Sequence, residues 1–143
     1  MTPMDRFTAQ GYDAQFGTNV LGHYYLAKLL LPLLLATAKA SPSAHARIIH
    51  TSSMMHWEAD SVHFETLTDT PQRKKVSKEF LYGQSKLGNI LLSNGLARRY
   101  GGEGLVSVAL HPGQLKTNLA HDLPGIAQKL WVSGYLWCVW ERF

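Results

Sequence analysis

The apolar residues of the N-terminal third predict one long helix. Over the range Thr8–Ala40, apolar side chains such as Phe16 and Val20 recur at every third or fourth position, which is the spacing of one helix face. Pro32 lies inside this range and lacks a backbone N–H, so we expect it to kink the helix or to begin a new first turn. The Leu26–Leu35 part is very apolar and is predicted to be a buried stretch of this helix.

Two short segments have the composition of buried strands. Arg47–Thr51 and Leu105–Leu110 are rich in β-branched and other apolar residues, which favours short strands of a parallel sheet. The range Met54–Lys78 between them is polar and charged. It is predicted to be a long loop with about one turn of helix, and a loop of this length in a compact domain usually serves function. Its Arg73-Lys74-Lys75 run is interpreted as a solvated stretch.

A second long helix is predicted over Glu79–Tyr100. It ends in two arginines followed by Gly101-Gly102, which can take the left-handed conformation that closes many helices. Gly88 and Gly95 lie inside the helix, where each glycine costs ~1 kcal/mol relative to alanine. A helix that keeps two such residues is expected to let another backbone approach closely.

The order of these elements predicts an α/β fold. Strands alternate with long helices, and a third helix is expected from about Pro124 to the C-terminus, which favours parallel pairing and right-handed crossovers. Two strands cannot cover three long apolar helices. The chain is therefore predicted to be part of a doubly wound, Rossmann-like parallel sheet with flanking helices, within a single domain.

Composition and charge narrow the class of protein. A hydrophobic share of 45% and a charged share of 17% are typical of a folded globular protein and exclude a disordered chain. The net charge of +4 is weak evidence for a nucleic-acid or membrane partner, and no nucleic acid is expected. Cys138 is the single cysteine, so an internal disulfide and a zinc cage are excluded and a cytoplasmic protein is predicted.

The C-terminal segment leaves contact with a membrane surface open. Leu130–Trp140 is apolar and contains Trp131, Trp137 and Trp140, but it is much shorter than the roughly 20 residues that span a bilayer. It is interpreted as a core helix, a substrate lid or an interfacial anchor.

The sequence Tyr82-Gly83-Gln84-Ser85-Lys86 carries the sharpest chemical signal. Tyrosine and lysine four positions apart lie on one face of a helix. A tyrosine has a pKa of about 10 in water, and a nearby ammonium is expected to lower it. A tyrosine tuned in this way can exchange a proton with a carbonyl oxygen or an alcohol. Taken alone, however, the pair is more typical of a solvated helix surface than of a site.

The surrounding sequence favours a functional site over a solvated helix surface. Ser52 and Ser53 follow the first predicted strand, and His111-Pro112-Gly113 follows the second. Doubly wound folds bind ligands at the carboxyl ends of their strands, so both groups are expected on one rim. Asn19 lies in the apolar helix, where an asparagine is mildly unfavourable and either has a polar role or faces water.

Together these motifs resemble the short-chain dehydrogenase/reductase family. The resemblance rests on T-N-V-x-G, a strand ending in S-S, the Y-G-Q-S-K-L-G-N helix and H-P-G-x-x-x-T, in this order from about Asp5 to Asn118. A polar insert like Met54–Phe80 is similar to that of the retinol dehydrogenase and WW-domain oxidoreductase group. The resemblance implies an NAD- or NADP-dependent oxidoreductase that transfers a hydride between a nicotinamide and an alcohol or carbonyl substrate. It also implies that residues 1–143 are the C-terminal, catalytic part of a Rossmann-type domain.

The resemblance assigns roles residue by residue. It implies that Tyr82 is the acid–base group and that Lys86 holds the nicotinamide ribose and tunes the tyrosine. Ser53 matches the residue that hydrogen-bonds the substrate oxygen, with Ser52 as its structural neighbour, although the two assignments could be exchanged. Asn19 matches the asparagine that holds a water molecule in a proton relay, or it satisfies a neighbouring backbone group.

Further positions complete the implied cofactor site. Pro112 and Gly113 resemble the turn that packs beside the nicotinamide, and Thr117 resembles the residue that contacts its carboxamide or phosphate. Thr117 is equally interpreted as a helix N-cap. The Glu79–Tyr100 helix resembles the one through which many family members dimerise, so a homo-oligomer is expected. The histidines show no pair at metal-ligand spacing, so no metal site is expected.

The sequence departs from the family at its beginning. A glycine-rich dinucleotide fingerprint and the residue that selects NAD or NADP would precede Met1, and the chain is expected to be truncated there and at its C-terminus. Loss of the neighbouring strands would uncover apolar helix faces, so the chain alone is expected to be marginal, oligomeric or prone to aggregation. The alternative function is a catalytically inactive fragment that acts at most as an interaction module.

Overall fold

The computed structural model describes residues 2–40 and 45–113. In these ranges the chain forms helix α1 (Ala14–Ala40), strand β1 (Ala46–Thr51), helix α2 (Lys78–Tyr100) and strand β2 (Leu105–Leu110). The predicted C-terminal helix, Thr117, Cys138 and the three C-terminal tryptophans lie outside the described residues.

The two strands form a parallel pair, as predicted. Their register runs from Ala46 opposite Leu105 to Thr51 opposite Leu110, so both strands end at the same edge. Helix α2 connects them and packs against both. This mixed arrangement is that of a partial doubly wound, Rossmann-like fold.

Helix α1 begins at Ala14 and not at Thr8. The Asp13 carboxylate accepts hydrogen bonds from the backbone N–H groups of Gln15, at 3.0 Å, and Phe16, at 2.9 Å, and so caps the first turn. Gly11 has a φ of 80°, which belongs to a turn and not to a right-handed helix. The predicted start was therefore wrong because a strong cap lies inside the apolar pattern.

The helix changes its winding near its start. Gly17–Gly22 is a π-helix, and the α-helical winding resumes at His23 and continues through Pro32 to Ala40. Short π segments inside α-helices occur frequently at functional sites. Sequence periodicity did not predict this feature.

Within residues 2–40 and 45–113, the buried apolar side chains form two clusters. One lies between the helices and the sheet and contains Ala27, Ala38, Ala46, Leu96 and Leu105. The other joins the start of α1 to the insert between β1 and α2 and contains Phe16, Val20 and Leu67.

The Leu26–Leu35 stretch was predicted to be buried, and this was largely wrong. Leu29 is 60% exposed and Leu33 is 65% exposed. The described part of the sheet has only two strands, so it covers one side of α1 and leaves the other side free.

The insert, residues 54–77, is more ordered than the predicted loop. It contains three short 3₁₀ helices, at Met54–Glu58, Phe64–Thr66 and Arg73–Lys75. Lys74 and Lys75 are exposed as expected, whereas Arg73 is only 3% exposed. Its guanidinium forms an ion pair with Asp13 at 2.7 Å.

The glycines near α2 serve purposes other than those predicted. The turn after α2 is right-handed at Gly101, with a φ of −59°, and the left-handed residue is Gly104, with a φ of 88°. Gly88 lies against the side chains of Phe16 and Val20, so it admits side chains and not a backbone. A methyl group at Gly95 would meet nothing within 4 Å in this chain.

Candidate active site

Ser52 and Ser53 have different environments at the carboxyl end of β1. The Ser52 backbone N–H donates to the Leu110 carbonyl at 2.7 Å and extends the parallel pairing. Its hydroxyl is buried and donates to the Lys86 carbonyl at 2.9 Å. Ser52 therefore joins the strand to α2, as a structural neighbour would.

Ser53 faces the tyrosine. Its hydroxyl lies close enough to the Tyr82 phenol to lower the pKa of that phenol. The same hydroxyl accepts from the Met55 backbone N–H at 3.2 Å and caps the Met54–Glu58 helix. His56 bonds to the Ser53 carbonyl through Nδ1 at 2.7 Å. Ser53 is thus fixed on both its side-chain and its backbone oxygen.

Gly83 allows this approach. A Cβ added there would overlap the Met55 carbonyl oxygen and lie 3.0 Å from the Glu58 Cβ. Only a glycine lets the Met54–Glu58 helix pack this closely on α2, beside Tyr82. The close backbone contact expected at Gly88 or Gly95 is therefore found at Gly83, which sequence reasoning missed.

Lys86 lies one helical turn after Tyr82 and is 9% exposed. Its Nζ donates to the Thr51 carbonyl at 3.1 Å and lies 5.6 Å from the centroid of the Tyr82 ring. The Asn89 side chain donates to the same carbonyl at 3.0 Å. The strand end thus anchors the ammonium. A lysine has three N–H donors, so Lys86 retains donors for the hydroxyl groups of a ribose.

Burial dominates the ionisation of the pair. It raises the pKa of Tyr82, against the smaller lowering effect of the Ser53 hydrogen bond, and it lowers the pKa of Lys86. Both shifts have one cause, since desolvation disfavours a phenolate and an ammonium alike. The direction at Tyr82 is opposite to the lowering expected from Lys86, so that expectation was wrong for the described structure.

The π-helix brings Asn19 to α2. Its Nδ2 donates to the Ser85 hydroxyl at 2.9 Å. That hydroxyl donates in turn to the Tyr82 carbonyl at 2.7 Å. Asn19 therefore has a polar partner inside the molecule, next to the backbone of Tyr82. Ser85, which is fully buried, was not singled out from the sequence.

The segment after β2 lies on the same edge of the sheet as Ser53. Pro112 and Gly113 are exposed. Gly113 has a φ of 78°, and a Cβ placed there would meet nothing within 4 Å. His111 has a lowered pKa because of partial burial and, to a lesser extent, the proximity of His56. Along residues 2–40 and 45–113, His, Cys, Asp and Glu side chains form no group that could hold a metal ion.

Curated proteins resemble the chain over most of its length. A short-chain dehydrogenase/reductase of Armillaria gallica is 45% identical over 130 residues, which are 91% of this chain and 41% of the relative. Human retinol dehydrogenase 14 is 39% identical over 116 residues, which are 81% of this chain and 32% of the relative.

A solved structure also resembles the chain. The carbonyl reductase Sniffer of D. melanogaster superposes with a TM-score of 0.58 and 25% identity, over 82% of this chain and 44% of that one. The chain belongs to the short-chain dehydrogenase/reductase family. No protein-family model matches it.

The first curated relatives are named as dehydrogenases/reductases. This short-chain dehydrogenase/reductase chain spans about two fifths of the length of the first curated relatives, 41% in each case. The predicted likeness to retinol dehydrogenases is confirmed by the names of the relatives. The alternative of a catalytically inactive fragment that acts at most as an interaction module is not favoured by these comparisons.

Helix α1 is long and apolar enough to cross a membrane. This is a statement about length and composition, and only 11% of its apolar window is buried. One such helix is weak evidence, because the core helix of a soluble protein meets the same criterion. One relative, a short-chain dehydrogenase of Brassica napus, is named as chloroplastic.

Proposed function

We propose that this chain is the catalytic part of an NAD- or NADP-dependent oxidoreductase acting on an alcohol or carbonyl substrate. The observation that carries the proposal is the proximity of the Ser53 hydroxyl to the Tyr82 phenol, with the Lys86 ammonium 5.6 Å from the tyrosine ring. Two hydroxyl groups that face each other offer a substrate oxygen two hydrogen bonds. A phenol in this position can exchange a proton with that oxygen.

Tyr82 is proposed to transfer the proton. Its raised pKa keeps the phenol protonated at neutral pH, so it can donate to the oxygen of a carbonyl substrate as that oxygen gains negative charge. Ser53 stabilises the same oxygen through a second hydrogen bond, which strengthens as charge develops. In the reverse direction the phenol must first lose its own proton, and the phenolate oxygen then accepts the proton of an alcohol.

Lys86 is proposed to bind the ribose of the cofactor. It is buried, fixed by the Thr51 carbonyl and has donors to spare, which suits a pair of neighbouring hydroxyl groups. A bound nicotinamide would supply or accept the hydride. Pro112 and Gly113 offer an exposed turn on the same edge for it, and Thr117 is proposed to add a contact from beyond the described residues.

Asn19 is assigned a place in the proton path. Its amide is held by Ser85 beside the Tyr82 carbonyl. We infer that the half-buried side chain binds a water molecule that passes protons between Lys86 and solvent. Ser85 fixes the amide for this role.

Isotope transfer tests the proposal directly. The purified chain is incubated with reduced nicotinamide cofactor deuterated at C4 and with short and long apolar aldehydes, and the products are analysed by mass spectrometry. Deuterium in the alcohol, lost in Tyr82→Phe, is the expected result. If no aldehyde acquires deuterium from a chain that binds the cofactor, the proposed activity is wrong.

We also propose that a second copy of the chain covers the helix face. Tyr25, Leu29 and Leu33 form an exposed apolar stripe on α1, and Leu91 is exposed on α2. Gly95, beside Leu91 in one groove, leaves room for the close approach of another helix. Sedimentation should show a dimer that Leu29→Glu converts to monomer. A wild-type monomer at all concentrations, or a monomer that binds lipid vesicles through this face, would contradict the dimer.

A further inference from the structure

A buried amide joins the insert to the catalytic helix. Gln84 is fully buried and lies two residues after Tyr82. Its Oε1 accepts from the His63 backbone N–H at 3.1 Å, and its Nε2 donates to the Thr66 hydroxyl at 2.8 Å. The proposed reaction uses neither end of this side chain.

Thr66 completes the connection on the insert side. Its hydroxyl donates to the His63 carbonyl at 2.8 Å while it accepts from Gln84. Thr66 is 1% exposed, so water cannot replace these bonds. Because a buried polar group without a partner is costly, the insert has one favoured position relative to α2.

A second anchor holds the far end of the insert. The Asp13 backbone N–H donates to the Leu67 carbonyl at 2.7 Å, and the Asp13 carboxylate pairs with Arg73. Asp13 also caps α1 shortly before the π-helix that carries Asn19. The insert is therefore fixed between the two helices that supply site residues.

The first turn of the insert covers the tyrosine. Met54–Glu58 packs on α2 at Gly83, and Ser53 at its cap lies close enough to the Tyr82 phenol to lower the pKa of that phenol. Tyr82 is 6% exposed and Met55 is 6% exposed. The burial of the phenol thus depends on where the insert lies.

We propose that Gln84 is a positioning residue, which holds the insert against Tyr82 and so keeps the phenol and Ser53 in register. This inference rests on the proposed role of Tyr82 in proton transfer. Gln84 touches no reacting atom and acts through the insert. The role belongs to the side-chain amide, because both of its ends are used.

Matched variants of Thr66 separate the hydrogen bond from packing. Thr66→Val keeps the shape and removes the hydroxyl, whereas Thr66→Ser keeps the hydroxyl. Asn94→Ala, at an exposed position of the same helix, is the control. Hydrogen exchange should be at least about tenfold faster in insert peptides of Thr66→Val, and nearly unchanged in Thr66→Ser and Asn94→Ala.

The pKa of Tyr82 gives a second readout. It would not change if Gln84 and Thr66 only stabilised the fold. The phenolate absorbance of each variant, minus that of the same variant with Tyr82→Phe, isolates this one tyrosine. The pKa of Tyr82 should fall toward its ordinary value in Thr66→Val, because loss of burial outweighs loss of the Ser53 bond. Lys86 beside the tyrosine ring, Glu58 beside Gly83 and His56 on the Ser53 carbonyl are unchanged in every variant.

Two outcomes would overturn the inference. One is an insert whose exchange is the same in Thr66→Val and Thr66→Ser. The other is a loosened insert with an unchanged Tyr82 pKa. Gln84→Asn, whose shorter amide cannot reach both partners, serves if Thr66→Val does not fold. Neither readout requires cofactor or substrate, so a failure of the proposed activity would be seen separately.

Discussion

The Ser53 hydroxyl lies close enough to the Tyr82 phenol to lower the pKa of that phenol, although the whole insert separates the two residues in the sequence. Two features bring them together. Strand β1 ends at Thr51, whose carbonyl binds Lys86, and Gly83 lets the Met54–Glu58 helix pack on α2. A substrate oxygen bound between the two hydroxyl groups would therefore be held by two separate chain segments.

Removal of the phenol hydroxyl should abolish proton transfer but not folding. Tyr82→Phe is expected to lower turnover by at least about 100-fold, the usual contribution of an acid–base group, while the affinity for the cofactor changes little. Tyr100→Phe, at the other end of α2, is the control. Comparable turnover of Tyr82→Phe and wild type in steady-state assays would show that Tyr82 is not the acid–base group.

Alanine should have opposite effects at two glycines of α2. Gly83→Ala forces a methyl group into the Met55 carbonyl and should destabilise the fold by about 2 kcal/mol. Gly95→Ala meets nothing within 4 Å and should stabilise the monomer by up to ~1 kcal/mol through helix propensity. Urea unfolding measures both, and equal effects at the two positions would mean that the Gly83 contact is not tight.

The buried ion pair of the insert should be far more important than an exposed one nearby. Asp13→Asn keeps the helix cap but leaves the Arg73 charge unpaired in a buried site, at a cost of about 3 kcal/mol. Asp69→Asn removes the exposed pair with Lys74, whose members are more than half exposed, and should cost less than about 1 kcal/mol. Chemical denaturation compares the two, and a small loss in Asp13→Asn would show that Arg73 finds other partners.

His50 should make the protein less stable in mild acid. Burial and, to a lesser extent, the neighbouring His23 lower the pKa of His50 from 6.5, so the unfolded chain binds the proton more tightly than the folded protein. The free energy of unfolding therefore falls as the pH drops below about 6.5 and is unaffected by this group above it. Urea unfolding is measured at about pH 7.5 and at about pH 5.5. Between these two pH values, the free energy of unfolding should fall more in the wild type than in His50→Gln. Identical losses would remove His50 as the cause.

Sequence patterns predicted the elements that local composition controls. The two strands and the helix over Glu79–Tyr100 follow from β-branched runs and helix periodicity, and their bounds differ by one residue at most from Ala46–Thr51, Leu105–Leu110 and Lys78–Tyr100. Motif spacing also selected Ser53, Tyr82, Lys86 and Asn19, all of which have polar partners in one region of the molecule. Their catalytic roles remain predictions.

Features that depend on tertiary packing were missed. Gly83 and Gln84 lie inside the recognised motif. Their contacts, however, are made with the insert, and no local sequence pattern predicts the path of the insert. The pKa of Tyr82 was predicted to fall because Lys86 is near, but the pattern of residues carries no measure of burial, which raises it. The exposed leucines of α1 were also predicted incorrectly. Apolar periodicity identifies an apolar helix face, but it does not predict what covers that face.

Calorimetric titration of the purified chain with NADH and with NADPH tests the central claim most directly. We expect one of the two cofactors to bind in the micromolar range, and Lys86→Met to weaken that binding by at least about tenfold, since a charge-assisted hydrogen bond to the ribose is lost. Asn94→Ala should bind like wild type. No binding of either cofactor by the folded chain, or equal binding by wild type and Lys86→Met, would contradict the proposal that this site serves nicotinamide chemistry.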